Sequence, residues 1–171
     1  MNTDMSMVLP SIASRLMATI TEPEPVVAIR MLIAACLDQS SSLRLRLPEV
    51  KQLFARFIAA IMRERTDALE AIANSVEKQI TALSFRPFTP RQVRQILGIT
   101  NQERLFWTRD GRLHQTGTIL NNQRGQKFRV PVYCAERIGW LSQNPDMIAA
   151  WRDEDARILT QEGLSDADLS S

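Results

Sequence analysis

Between Pro48 and Pro87 the chain contains neither proline nor glycine, and its apolar residues recur every three or four positions. Leu53, Phe57, Ile61, Leu69, Ile72, Val76, Ile80 and Leu83 form this stripe, with one wider step between Ile61 and Leu69. A proline in the first turn of a helix sacrifices no hydrogen bond, so Pro48 reads as a start rather than a break. The pattern predicts a long helix over about 48–84. At 1.5 Å per residue such a helix would be a rod of about 50 Å, longer than a globular helix usually runs. Either it breaks near Arg63–Asp67, or it continues as a coiled-coil or bundle element. The stripe has two possible destinations: burial against helices of its own chain, or sharing with a second copy.

Two shorter helices are expected ahead of it. Residues 7–20 carry apolar side chains at helical spacing, and Thr21-Glu22-Pro23-Glu24-Pro25 interrupts them. The next helix should run from about Pro25 to Leu37 and end in the polar run Asp38–Ser42. Residues 1–84 are therefore read as a helical module, expected to form a homodimer through these N-terminal helices. The apolar stretch Val26–Leu37 contains Arg30 and falls short of the roughly 20 residues of a membrane span. The N-terminus also lacks the basic and apolar pattern of a secretory signal. A cytoplasmic protein with no membrane partner is expected.

Composition narrows the chemistry further. With 44% hydrophobic and 23% charged residues, the chain has the balance of an ordinary folded domain. Its two cysteines, Cys36 and Cys134, lie far apart among apolar neighbours, so structural thiols are expected rather than a disulfide framework or a metal site. His114 is the single histidine. The chain lacks a glycine loop for phosphates, a nucleophile elbow, a metal-ligand pair and a His–carboxylate pair. No enzyme activity, catalytic residue, cofactor or metal is predicted.

Charge is segregated along the chain. Residues 1–84 hold nine basic and nine acidic side chains, residues 85–132 hold nine basic against two acidic, and residues 146–171 hold seven acidic against two basic. Eight of the nine cations in the middle block are arginine, whose planar fork suits phosphate oxygens and guanine edges.

That basic block has a recognisable order. Thr89-Pro90 offers a capping threonine and a proline at the first helical position, followed by Val93, Ile96 and Leu97 on a narrow apolar face. Gly98 permits a sharp turn and Ile99 can plug the space beneath it. Thr100 and Glu103 have the spacing of a capping box for a second helix, which Leu105, Phe106 and Trp107 should carry into the core. Two short helices around Gly98-Ile99-Thr100 make a helix-turn-helix. After the turn pair Asp110-Gly111, two strands are expected at Thr116–Leu120 and Lys127–Val132, with a hairpin tip at Asn121–Gly125. Tyr133–Leu141 returns to helix. Phe128 and Trp140 are expected in the core with Phe106 and Trp107. A last helix should run from Asn144-Pro145 to about Leu159, with an acidic, disordered tail after Gly163 that could shield the basic face.

The segments 88–100, 104–113 and 128–141 resemble the excisionase-like and MerR-like winged helix-turn-helix domains. The shared order is helix, glycine turn, second helix, a Gly111-Arg112-Leu113 bend, a basic hairpin and a short helix ending in Trp140-Leu141. The resemblance covers roughly a third of the chain. It implies double-stranded DNA as partner, with a recognition helix at about 100–108 in the major groove and a wing at about 116–132 on the backbone or minor groove.

The sequence thus reads as a mainly α protein: a helical dimerisation module over 1–84, a winged helix-turn-helix over 85–143, and a C-terminal helix with an acidic tail over 144–171. Thr100, Asn101, Gln102 and Arg104 would sit at the start of the recognition helix, where side chains reach base edges. Arg91, Arg94, Arg112, Arg124, Lys127 and Arg129 would mostly contact phosphates, and Asn122 and Gln123 of the hairpin tip are counted among the DNA-binding residues. A dimeric transcriptional regulator is the leading expectation. An architectural DNA-binding factor and a protein-interaction adaptor remain open.

Overall fold

The computed structural model describes residues 10–168, with side chains described as far as Thr160. These residues form two compact units that divide between Arg86 and Pro87. The described chain is mainly helical, with one two-stranded antiparallel hairpin. Among the described residues no helix is long and apolar enough to cross a membrane.

The first unit comprises α1 (Ile12–Thr19), α2 (Pro25–Gln39), α3 (Ser41–Arg44), α4 (Leu47–Met62) and α5 (Leu69–Phe85). The prolines fall where the sequence leads one to expect, with Pro25 and Pro48 in first turns. Of the first predicted helix, residues 7–9 lie outside the described residues.

Of the two courses open to the helix over 48–84, a break or a continuous rod, the chain takes the break. It breaks after Met62, where Glu64 takes a left-handed conformation (φ 52°) and the Arg65 amide donates back to the Ala60 carbonyl at 3.1 Å. This is a helix stop in which a left-handed residue lets the chain turn on its own last carbonyls. A short 3-10 turn, Thr66–Ala68, leads into α5. The cause is visible in the composition of the break: residues 63–67 carry no apolar side chain, so extending the helix there buries nothing. Turning back lets the two halves of the stripe face each other.

The stripe is consumed inside the unit. Leu53, Phe54, Phe57 and Ala60 of α4 and Leu69, Ala73, Val76, Ile80 and Leu83 of α5 are buried with Leu16, Ile29, Leu32 and Cys36. Each large side chain removed from water in this way is worth about 1.5–3 kcal/mol. Of the two destinations open to the stripe, burial against helices of its own chain is the one found. Buried Arg46 closes the end of α5 by donating to the Leu83 carbonyl and, at 2.5 Å, to that of Arg86. Burial, and next the Arg86 charge, lower its pKa to about 10, which leaves it a cation at neutral pH. The Ser42 hydroxyl donates to the Ser84 carbonyl at 2.7 Å. A cation and a hydroxyl thus satisfy carbonyls that the helix end leaves open.

The second unit comprises α6 (Pro90–Leu97), α7 (Asn101–Arg109), β1 (Gln115–Gln123), β2 (Gln126–Tyr133), α8 (Ala135–Gln143) and α9 (Pro145–Asp168). Its core gathers Phe88, Val93, Ile99, Trp107, Leu113, Val132, Tyr133, Ile138, Leu141, Ile148 and Trp151. Phe88 and Tyr133 exchange backbone hydrogen bonds at 3.0 and 2.9 Å, which fixes the entry to α6 against the foot of β2. The helix expected to stop near Leu159 continues to Asp168, and residues 169–171 lie outside the described residues. Residues 144–168 are also not a separate piece. Ile148 and Trp151 are buried, and Trp151 meets Trp107 edge-on with ring centroids 5.1 Å apart.

Candidate nucleic-acid interface

α6 and α7 are each fixed at their first turn by their own caps. At α6, the Thr89 amide donates to Gln92 Oε1 at 2.9 Å, and Thr89 Oγ1 accepts from the Gln92 amide at 3.5 Å. At α7, the Thr100 amide donates to Glu103 Oε2 at 2.6 Å and Thr100 Oγ1 accepts from the Glu103 amide at 3.1 Å. Both are reciprocal capping boxes. Gly98 between them is left-handed (φ 61°, ψ 39°), a conformation in which a side chain is strained, and Ile99 is buried beneath the turn. Thr100 therefore uses its hydroxyl as a cap.

α9 clamps the same turn from outside. Arg152 donates from Nε to Glu103 Oε1 at 2.6 Å and from Nη2 to the Gly98 carbonyl at 3.0 Å. The Arg152 hydrogen bond, followed by the bonds from Thr100, holds the Glu103 pKa down to about 2 against the opposing effect of burial. One carboxylate therefore caps a helix and anchors a second element.

Two of the predicted DNA-contacting arginines belong to this scaffold. Arg104 is only 7% exposed. It donates from Nη1 to the Tyr133 hydroxyl at 2.6 Å and from Nη2 to Asn101 Oδ1 at 2.9 Å. It shares a helix face with Trp107 and Thr108, three and four residues on, so it faces inward and cannot read bases. Arg112 is likewise engaged, with Asp110 Oδ2 and Asp155 Oδ1 each 2.6 Å away. Its guanidinium also lies 5.4–5.7 Å from the ring centroids of Phe106, Trp107 and Trp151. Asp155 fixes the Trp107 indole too, accepting from Nε1 at 2.8 Å. Arg112 is a clasp between α7 and α9, not a free backbone contact.

The outward face of α7 consists of Asn101, Gln102, Leu105, Phe106 and Arg109. Leu105 and Phe106, expected in the core, are 53% and 39% exposed. Helical geometry explains this: once Arg104, Trp107 and Thr108 define the inner side, residues 105 and 106 must point out. Asn101 and Gln102 are exposed as predicted, although Asn101 Oδ1 already accepts from Arg104. Arg109 was not singled out from the sequence; it is exposed, with its guanidinium 5.6 Å from the Phe106 ring centroid. Its spacing of seven and eight residues from Gln102 and Asn101 was the available signal.

The hairpin is longer than its sequence suggested, and its tip is tighter. The strands pair out to Gln123↔Gln126, leaving only Arg124 and Gly125 in the turn, both at positive φ (54° and 80°). Two such residues make the type I′ turn that matches the strand twist. Asn121, Asn122 and Gln123, expected at the tip, lie in β1. The register sorts the side chains by face, because directly paired residues point the same way. Thr118, Leu120 and Asn122 share one face with Lys127, Arg129 and Pro131, while Ile119, Asn121 and Gln123 share the other with Gln126, Phe128 and Val130. Both cations of β2 are thus on one side, with Arg124 at the tip. Every residue of β1 is exposed, and β2 is fully buried only at Val132 and Tyr133. Phe128 (40%) and Trp140 (41%), also expected in the core, are exposed.

Arg91 and Arg94 leave α6 on the side away from buried Val93, and both are exposed. The predicted residues therefore separate into α6 cations, an α7 face and a hairpin face, with Thr100, Arg104 and Arg112 committed to structure. Among the described residues, no three histidine, cysteine, aspartate or glutamate side chains are grouped so as to hold a metal ion. Compared with known proteins, the chain matches no family model, no curated protein and no solved structure.

Proposed function

We propose that the unit beginning at Pro87 is a sequence-specific module for double-stranded DNA, built as a winged helix-turn-helix. α7 is its recognition helix and the β1–β2 hairpin its wing. The observation that carries this reading is a contrast between two classes of cation. Arg104, Arg112 and Arg152 are paired within the scaffold, whereas Arg91, Arg94, Arg124, Lys127 and Arg129 are exposed with neither an ion pair nor a hydrogen bond among the described residues. Cations held out from a folded surface suit a polyanion, and those on one face of a hairpin can follow a phosphate backbone. Base reading falls to Asn101, Gln102 and Arg109, whose side chains pair with adenine or guanine edges. Leu105 and Phe106 supply apolar contact to thymine methyl groups.

The exposed pair Leu105 and Phe106 also favours a second reading, in which the α7 face docks a protein. Selection of bound fragments from a random duplex library separates the two. The wild type should recover a repeated motif, with affinity falling steeply as salt rises. Gln102→Ala/Arg109→Ala should lose the motif but keep weak, salt-sensitive binding. No binding of any duplex at low salt would overturn the DNA reading and leave protein docking.

A further inference from the structure

We propose that the outer face of α2 is the surface on which a second copy of this chain docks, the two α2 helices running antiparallel. α2 is apolar nearly all round: from Pro25 to Leu37 its one charged residue is Arg30. A helix of that character is normally covered on every side. Here Ile29, Leu32 and Cys36 enter the core. At about 100° per residue, Val27, Met31 and Ala34 lie on the opposite side. Val27 is 45% exposed and Met31 70%. An open groove of about 620 Å³ beside them, lined by Ile33, Leu37, Leu47 and Ile58 with Arg30 and Lys51, continues the surface toward α4.

Spacing and charge select the occupant. Positions 27, 31, 34 and 38 follow steps of four, three and four, the seam along which two helices pack. An antiparallel pair with its two-fold axis between Leu32 and Ile33 sets Met31 against the partner's Ala34 and Val27 against the partner's Asp38. Arg30, exposed and with neither an ion pair nor a hydrogen bond among the described residues, then flanks the partner's Asp38. Asp38 can receive it as well: Oδ1 already accepts from Arg44 at 2.9 Å, and the side chain remains 77% exposed. The two-fold creates this pair twice. A parallel pair would instead set Arg30 beside the partner's Arg30, and an acidic partner that suited Arg30 and Lys51 would meet Asp38. The face is complementary to itself.

The test is sedimentation equilibrium of the full chain without DNA, so its outcome is independent of the DNA reading. The wild type should be a dimer that dissociates on dilution. Met31→Glu should be monomeric over the same range while keeping the wild-type circular dichroism and melting temperature. Arg30→Glu and Asp38→Lys should each weaken dimerisation by about tenfold or more, since each turns two attractions into repulsions. The double variant should restore it. A wild-type monomer at all concentrations, a folded Met31→Glu dimer, or a double variant no tighter than the singles would each overturn the proposal.

Discussion

α4 with α5, and β1 with β2, are both antiparallel hairpins, yet they place their apolar residues in opposite ways. The helical hairpin turns its apolar stripe inward, leaving Ile61 and Ile72 half-buried and the rest of the stripe buried, and exposes Met62 and Phe85 where its helices end. The strand hairpin leaves Ile119, Leu120 and Phe128 in water, beside Lys127, Arg129 and Arg124. Folding accounts for the first arrangement and not for the second. An isolated two-stranded ribbon gains little stability by itself, so its extension beyond Val132 is unnecessary to the core. The difference teaches where to look for function: in surface that the fold does not need.

The sharpest way to break this comparison is to truncate one phenylalanine in each hairpin. Phe57→Ala should lower unfolding free energy by about 3–5 kcal/mol, because it opens a cavity at a fully buried site. Phe128→Ala should cost under about 1 kcal/mol. Urea denaturation followed by circular dichroism measures both, and comparable losses would mean the strand hairpin is part of the core after all.

Next in size is a division among the cations. Arg104→Ala should destabilise by about 1–3 kcal/mol, since it removes a buried cation's hydrogen bonds to the Tyr133 hydroxyl and Asn101 Oδ1 and leaves that hydroxyl with Thr108 Oγ1, 3.0 Å away. Lys127→Ala should leave stability within about 0.5 kcal/mol of wild type. On DNA the order should reverse, with Lys127→Ala lowering the dependence of log affinity on log salt by about 1. An equal loss of salt slope in a still-folded Arg104→Ala would show that buried and exposed cations had been wrongly separated.

Arg104 also marks the limit of what could be read from sequence. Thr89-Pro90, Gly98 and the Thr100–Glu103 pair announced both helix starts and the turn, because capping and left-handed turns are decided within four residues. The break at residues 63–67 was legible as one of two options for the same reason. Arg104 and Arg112 were not legible. Their partners Tyr133 and Asp155 lie 29 and 43 residues away, and nothing local says that an arginine in a basic block will be paired. For Leu105, Phe106 and Phe128 the sequence points to apolar sides of α7 and β2, but which side of an element is inward depends on partners that the local pattern does not contain. Hairpin register had the same ambiguity: Lys127 and Arg129 share a face by strand alternation alone, but moving Asn121–Gln123 from tip to strand is what adds Asn122 and Leu120 to that face.

The clamp between α9 and α7 gives a pH signature that the hairpin lacks. Glu103 has a folded-state pKa of about 2 against an ordinary value of 4.5. Its ionised form is therefore favoured by folding. The stabilisation is complete above about pH 4.5 and is lost as pH falls toward 2. Glu103→Gln should flatten the stability of this unit across that window, and Arg152→Ala should shrink the dependence without abolishing it, because the Thr100 bonds remain. Thermal melts between pH 2 and 6 read this out. Unchanged pH dependence in both variants would remove the clamp from the account and leave Trp151 and the Arg112–Asp155 pair to hold α9 to this unit.

The smallest effect expected is at the tip, and it isolates charge from shape. Arg124 occupies a turn position at φ 54°, where asparagine is better suited than arginine. Arg124→Asn should therefore hold the hairpin at least as firmly, seen as equal or slower amide exchange at Gln123 and Gln126. If the tip meets phosphate, the same variant should bind DNA several-fold more weakly at low salt and approach wild type as salt rises. A firmer hairpin with unchanged affinity would move the DNA-facing cations off the tip and onto Lys127 and Arg129. A firmer hairpin with weaker binding would show the reverse of what happens at Phe57: a residue kept at some cost to local geometry because the surface it creates is used by something outside the fold.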